Sequence, residues 1–354
     1  MEYLKSINDK LKRISEENIE YIDLFDRPDL VFGTTNYSND TVDFCKVPYE
    51  SQQEIFTKWS SNTRSMQIFK DATCGNVIRF HTNSKKVIFK IKLRRKWSFE
   101  KLLNWNSLGF DVYNIGEDNK TYTHNNIFGP MDGHDIFANT IYVPKSGNIC
   151  VYLPSYTKIE ELYLGINKGC VIKRLDYPNN QLPVIFYGNS VTQGAAASRS
   201  ANAFPNIVSR KLNREIINLS ISSCCKGMLG MAEMIGKINC HSIVIDYTRN
   251  ANSKKMLMDT HEKFYKTIRK YHPNIKIILL TSENFNNWAM CDEFDQVVER
   301  TFMNARLNGD NTDLIYQNKL FDPREFSYVA VDSAHYTDYG MFKIADEICK
   351  LLKE

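Results

Sequence analysis

"VIFYGNSVTQG", residues 184–194, decides how the second half of the chain folds. Four apolar residues run into Gly188-Asn189-Ser190, and a second glycine follows at Gly194. An apolar run of this length, bounded by turn residues, reads as a strand covered on both faces. Gly and Asn at its end permit a sharp turn. Such a turn is either an ordinary strand-to-helix connection or a device that lifts Ser190 to where its hydroxyl can attack.

The same texture continues to the end of the chain. "VIFYG" precedes a helix around 203–213, "EIINLS" one around 228–237, "SIVIDY" one from roughly 257 to 271, and "IKIILLTS" one near 293–305. An amphipathic helix from Asp338 to about Leu352 closes the sequence. Apolar strands alternating with helices predict a three-layer α/β/α domain over 184–354, built on a parallel sheet. Ligands of such sheets sit beyond the carboxyl ends of the strands, which is where Ser190 falls.

Upstream the pattern differs. From about residue 56 to 176, "NVIRFHT", "KVIFKIKL", "GFDVYNI", "NTIYVP", "GNICVYLP" and "IEELYLGI" are short, β-branched or aromatic, and separated by Asn, Gly, Ser and Lys clusters. Several alternate with period two, which predicts an all-β sandwich. "DYPNNQLP", ending at Pro183, has the composition of a linker, assigned to 177–183. Residues 3–16 read as a short amphipathic helix, followed by an irregular stretch to about 55. Two domains also suit 354 residues, a length beyond which one core seldom grows.

Composition excludes several classes. A net charge of +4 is mild, and the short basic run "KLRRK" (92–96) is more typical of a strand edge than of a phosphate grip, so no nucleic-acid partner is expected. The charged opening "MEYLKSINDKLKRISEEN" has no apolar core of a signal peptide, and no window approaches a membrane span. Nine cysteines, without paired metal-ligand spacing, read as free thiols of a cytoplasmic protein. Adjacent Cys224 and Cys225 read as small buried hydrophobes rather than nucleophiles.

A serine nucleophile needs a base, an acid to orient that base, and donors for the oxyanion. "VAVDSAHYTDYG" sets Asp332 and His335 three residues apart, just before the last helix. Alone this is weak, since Asp132/His134 and Asp259/His261 are similar pairs. "EIINLS" runs on into "ISSCCKG", and "SIVIDY" into "TRNAN", at the same predicted sheet edge as Ser190. The backbone N–H of Ser223 and the amide of Asn250 are suitable oxyanion donors there.

"YGNSVTQG", "NLSISSCCKG", "IDYTRNAN" and "VDSAHYTDYG" resemble, in order and spacing, the blocks of the SGNH (GDSL-like) hydrolases. "GFDVY", Gly109 to Tyr113, resembles the G-x-D-L-Y signature of a subgroup whose α/β domain follows an N-terminal, jelly-roll-like β-domain. The resemblance spans about residues 59–354. It implies Ser190 as nucleophile, His335 as general base and Asp332 as its orienting acid. It implies an oxyanion hole of the Ser190 N–H, the Ser223 N–H and the Asn250 side chain, with no cofactor and no metal. Asn189 stands where the family has Asp, and Ser223 where it usually has Gly. The implied activity is that of a serine esterase removing a small acyl group, from a small molecule or a carbohydrate. An acyltransferase using the same triad and a non-catalytic binding module on the same fold are the alternatives.

Overall fold

The computed structural model describes residues 11, 16–38, 41–47, 63–94, 102–131, 134–178, 181–285 and 289–353. The helix expected over 3–16 falls almost wholly outside them, as do Arg95, Lys96 and Asp132.

Twelve strands form the N-terminal half: β1 (Ile19–Asp23), β2 (Val31–Phe32), β3 (Asn36–Ser38), β4 (Thr41–Asp43), β5 (Val77–Thr82) and β6 (Lys86–Arg94), then β7 (Phe110–Ile115), β8 (Tyr122–Phe128), β9 (Ile136–Tyr142), β10 (Asn148–Tyr152), β11 (Lys158–Asn167) and β12 (Ile172–Arg174). Ten of them make two antiparallel sheets, in the orders β1-β11-β6-β9 and β12-β5-β10-β7-β8, with β2 also pairing β5, and β3 and β4 pair with each other. One face of each sheet supplies a shared core: Phe89 and Ile91 of β6 and Leu162 and Leu164 of β11 cluster with Ile78 and Phe80 of β5 and Val112 of β7. That is the expected sandwich.

The sandwich begins earlier than its sequence pattern does. β1 lies inside the stretch expected to be irregular, yet it pairs with β11 from Ile19↔Asn167 to Asp23↔Tyr163. Its signal is weak because it is an edge strand in which Ile19 alone is buried. β8, "YTHNNIF", also escapes the pattern, since its polar residues face outward. Of the run at 92–96, Lys92 to Arg94 end β6, an interior strand and not an edge, and Lys92 and Arg94 pair across to Glu161 and Glu160, each at 3.2 Å.

The C-terminal half carries five parallel strands: β13 (Val184–Gly188), β14 (Ile216–Asn218), β15 (Ser242–Asp246), β16 (Lys276–Leu280) and β17 (Thr312–Ile315). Their order is β14-β13-β15-β16-β17. β17, four residues at the sheet edge, was not legible as a strand. Alternate residues of β13 face opposite layers. Ile185 and Tyr187 pack with helices Leu229–Gly236, Lys254–Tyr271 and Ala289–Leu307, whereas Val184 and Phe186 pack with Phe204–Leu212 and Asp338–Leu352. The three-layer α/β/α domain is therefore present. Strand order reverses at β13, so the crevice of the sheet opens at its carboxyl end.

The Gly109–Tyr113 stretch locks the halves together. A Cβ on Gly109 would stand 2.4 Å from the Trp105 carbonyl oxygen, so only glycine fits. Asp111, fully buried, accepts from His124 Nε2 (3.0 Å), Arg199 Nη1 (3.4 Å) and the Ala201 N–H (3.3 Å). Burial pushes its carboxyl above the usual range, and Arg199, His124 and Arg210 oppose the push. The Arg210 guanidinium lies 4.9 Å from the centre of the Tyr113 ring. Removing Asp111 would leave Arg199 and the Ala201 N–H without it, a loss of about 3 kcal/mol for a broken buried pair. Thermal unfolding of D111A should show a drop of that order, and a loss below about 0.5 kcal/mol, the scatter of neutral surface changes, would rule out the latch.

Candidate active site

Ser190 opens a single helical turn, Ser190–Gln193, directly after β13. Gly188 must be glycine, because a Cβ there would meet Thr192 Oγ1 at 2.2 Å and the Asp246 carbonyl oxygen at 2.8 Å. Asn189 caps the turn: its Oδ1 accepts from the N–H of Val191 (2.7 Å) and Thr192 (3.3 Å). Gly194 ends the turn with φ +115°, a left-handed conformation open to glycine. The sharp turn read from the sequence therefore exists, and it presents Ser190 half-buried at the crevice.

His335 meets it from the other side. Ser190 Oγ and His335 Nε2 are 2.8 Å apart, and His335 Nδ1 and Asp332 Oδ2 are 2.9 Å apart. The second carboxylate oxygen, Asp332 Oδ1, accepts from the backbone N–H groups of Ala334 and His335, both at 2.8 Å. With a carboxylate facing Nδ1, that nitrogen carries the proton, and Nε2 is left to accept from the serine hydroxyl. The loop is closed by an Ala330–Tyr336 bridge and by the Val331 N–H donating to the His335 carbonyl at 2.9 Å. Arg249 fastens it to the sheet, donating to the Glu283 carbonyl (2.6 Å) and to Ser333 Oγ (3.4 Å).

The other acid–histidine pairs do not compete. His261 is buried against Thr301 Oγ1 at 2.9 Å, and burial lowers it to about 4, while Asp259 pairs with Lys255 at the surface. For Asp132/His134, the acid lies outside the described residues.

The two further donors flank the serine. Ser223 is exposed at φ +62°, the conformation that explains why glycine is usual at this place. Neither its N–H nor that of Ser190 has an acceptor among the described residues. Just before it, the Ser222 N–H donates to Gln193 Oε1 at 2.7 Å, which sets the loop beside the serine turn. Asn250, half-buried in the turn Thr248–Asn250 after β15, donates one amide hydrogen to the Cys225 carbonyl at 3.0 Å. An amide has two, so the second remains available. Cys224 and Cys225 are buried, and burial pushes both thiols up to about 12, as suits small hydrophobes.

Two features escaped the sequence. Tyr156, from the β-domain, donates its hydroxyl to the Ser190 carbonyl (2.9 Å) and lies 3.3 Å from Ser222 Oγ. Nothing local in "PSYTK" marks it, because its partners are more than thirty residues away. Beneath the site, Asn189 Nδ2 donates to Glu283 Oε1 at 2.8 Å, and Asp246 accepts from Thr192 Oγ1 (2.6 Å) and Gln317 Nε2 (3.0 Å). Both acids are fully buried. Burial first, and Glu283 second, push the Asp246 carboxyl well above the usual range.

Comparison with known proteins fits this geometry. Residues 181–353 match the GDSL-like lipase/acylhydrolase family, and residues 21–172 match the N-terminal domain of SGNH-hydrolase-type esterases. The chain belongs to this family, in the subgroup that carries the GxDLY domain. Among solved structures it is similar to a protein from Bacteroides ovatus assigned as a GDSL-like lipase, at 24% identity and TM-score 0.78 over 95% of this chain and 98% of that one. The salicylyl-acyltransferase SsfX3 of a tetracycline biosynthetic pathway matches at 14% identity and TM-score 0.75, over 95% and 97%. An active-site mutant of a family two carbohydrate esterase from Clostridium thermocellum, in complex with a cello-oligosaccharide, matches at 13% and 0.58, over 80% and 92%. No curated protein matches the sequence. The family match supports a lipase or acylhydrolase, and the solved structures support the fold.

The acid pair explains Asn189. A carboxylate at 189 could not donate to Glu283 and would stand beside two buried acids, so its folded pKa would rise above the unfolded value of about 3.9. A raised folded pKa means stability present below the unfolded value and lost as pH climbs through the folded one. Relative to wild type, N189D should therefore be near-neutral at pH 4 and less stable by about 2–3 kcal/mol at pH 7. Paired melting curves at the two pH values test this. A pH-independent offset would mean that Asn189 acts through its cap alone.

Proposed function

We propose that this protein is a serine esterase that removes a small acyl group through an acyl-enzyme. The observation that carries the reading is the continuous hydrogen-bonded chain from Ser190 through His335 to Asp332. Ser190 Oγ attacks the ester carbonyl carbon as its proton passes to His335 Nε2. Asp332 holds the imidazole in register and stabilises the imidazolium. The negative oxygen of the tetrahedral intermediate takes the N–H groups of Ser190 and Ser223 and the free amide hydrogen of Asn250. His335 then protonates the departing alcohol, and a water attacks the acyl-enzyme by the same steps in reverse.

Passing the acyl group to an alcohol or amine would use the same atoms. Likeness to the salicylyl-acyltransferase over nearly the whole chain supports that second reading. A non-catalytic module would have no need of the hydroxyl–imidazole–carboxylate chain, which is intact here. A carbohydrate is the proposed carrier of the ester. The carbohydrate esterase neighbour holds a cello-oligosaccharide, and in this protein the half-exposed Trp105 offers a flat face beside Asn106, whose Nδ2 donates to the Gly194 carbonyl.

The small-acyl assignment rests on what surrounds Ser190. The 281–295 stretch, the longest candidate for a flap, is mostly packed structure: Thr281 to Asn284 are buried, the Ser282 N–H donates to Asp295 Oδ1 at 2.7 Å, and the following helix starts at Ala289 rather than near 293. The exposed Ser223 side chain stands where the family usually has none.

Ser190→Ala and His335→Ala should each lower turnover of acetyl esters by several orders of magnitude with melting temperature nearly unchanged, and Ser190→Ala should abolish labelling by a fluorophosphonate. Asn250→Ala should lose about a hundred- to a thousand-fold in kcat with little change in KM. Retention of more than about a tenth of the rate by either triad variant would exclude serine-dependent acyl transfer.

Chain-length dependence tests the acyl site. Each methylene taken into an apolar pocket gains about 0.8 kcal/mol, so a site lacking that pocket gains nothing from longer chains. kcat/KM should fall from acetyl to octanoyl model esters. A steady climb toward octanoyl would replace the small-acyl reading with a lipase one.

A further inference from the structure

Lys46 and Cys74 meet inside the molecule, outside the Ser190–His335–Asp332 chain. Lys46 is 5% exposed and Cys74 1%. Lys46 Nζ lies 2.7 Å from Cys74 Sγ and 3.1 Å from the Ser220 carbonyl oxygen. Other nitrogen–sulfur contacts in the structure are far longer: 3.3 Å from the Asn252 N–H to Met256 Sδ, 3.4 Å from Arg249 to Cys291, and 3.9 Å from Lys70 to Cys45. Sulfur is a large atom, and a separation of 2.7 Å would be ordinary only for an oxygen acceptor. It is the separation of two atoms bonded to one shared atom.

The electrostatics point the same way. No carboxylate pairs with Lys46 among the described residues, and a buried ammonium without one is costly. The thiol beside it is pushed up by burial, against the pull of Lys46. As separate groups the pair buries a poorly compensated charge, whereas a covalent link between them is neutral.

We propose that Lys46 and Cys74 form a reversible oxidative cross-link through one oxygen atom, Nζ–O–Sγ. The thiol, the neutral amine and one dioxygen give the bridge and one water. The S–H bond and one N–H bond break, S–O and O–N bonds form, and the second oxygen leaves as water with the two hydrogens. Four electrons pass to dioxygen, two from sulfur and two from nitrogen. Two equivalents of a dithiol return four electrons and four hydrogens, regenerating thiol, amine and water. Dioxygen is small and uncharged, which suits a buried pair.

The bridge lies under the loop that carries Ser223. Cys74 Sγ is 3.8 Å from the carbonyl oxygens of both Asn218 and Ser220. The next residue, Gly75, packs so closely on Asn218 that a Cβ would stand 2.4 Å from that of Asn218. Oxidation thus joins two segments of the N-terminal half at the place where both touch the end of β14 and the turn beyond it.

Mass spectrometry of the full-length chain tests this independently of any activity. The air-oxidised protein should weigh about 14 Da more than its sequence, one oxygen gained and two hydrogens lost, and should return to the sequence mass in dithiothreitol. A tryptic map should show no cut after Lys46 and one cross-linked species containing Lys46 and Cys74. K46R and C74S should each abolish the increment; if neither variant folds, the wild-type map alone decides. Sequence mass after exposure to air and peroxide, with the two residues in separate peptides, would overturn the proposal. So would whole-oxygen gains confined to the Cys74 peptide, or an increment that survives dithiothreitol or persists in K46R.

Discussion

One side chain holds the turn on which the site depends. The Asn189 N–H donates to the Asp246 carbonyl at 2.8 Å, its Oδ1 accepts from the N–H groups of Val191 and Thr192 in the following turn, and its Nδ2 donates to buried Glu283. With a carboxylate on one side of the amide and backbone donors on the other, the group has a single satisfied orientation. Capping Val191 and Thr192 from inside leaves the Ser190 N–H directed away from the helix. The backbone that carries Ser190 is thereby held where its hydroxyl meets His335 Nε2 at 2.8 Å.

The β-domain is part of this arrangement. Tyr156 reaches from it to the Ser190 carbonyl and to Ser222, so the serine turn and the Ser223 loop are joined through a residue of the other half. Asp111 fixes that half against Arg199 and Ala201, just beyond the serine turn. The signature Gly109–Tyr113 thus has a mechanical meaning: close backbone approach at Gly109, a buried acceptor at Asp111, and a ring under Arg210 at Tyr113.

Most of this fold was legible because both halves obey strong periodicities. Runs such as "VIFYG" and "SIVIDY" are apolar on both faces and cannot be much else than central strands, and the chemistry-bearing residues follow them directly. What was not legible depends on partners distant in sequence. β1 and β17 are edge strands whose own residues carry little alternation. Tyr156, Asp246 and Glu283 are ordinary residues until the fold brings them under the serine turn, and the Lys46–Cys74 contact joins segments twenty-eight residues apart. The helix after β16 starts at Ala289 rather than near 293, because its first residues are of mixed polarity and look like loop.

Ser223 shows how the geometry of the site is maintained without the residue that favours it. A left-handed φ of +62° costs an L-residue about 1–2 kcal/mol relative to glycine. That strain is tolerable here because the side chain is exposed, and because the loop is held at Ser222 by Gln193 and at Ser220 by Lys46. The Ser223 N–H in this turn has no acceptor among the described residues. An open donor at Ser223 and a second on Ser190 suit the role proposed for both, which is to hold negative charge. The conformation and the open donor are one feature: relaxing Ser223 to negative φ would re-aim the peptide groups of this loop, and with them the position proposed for negative charge.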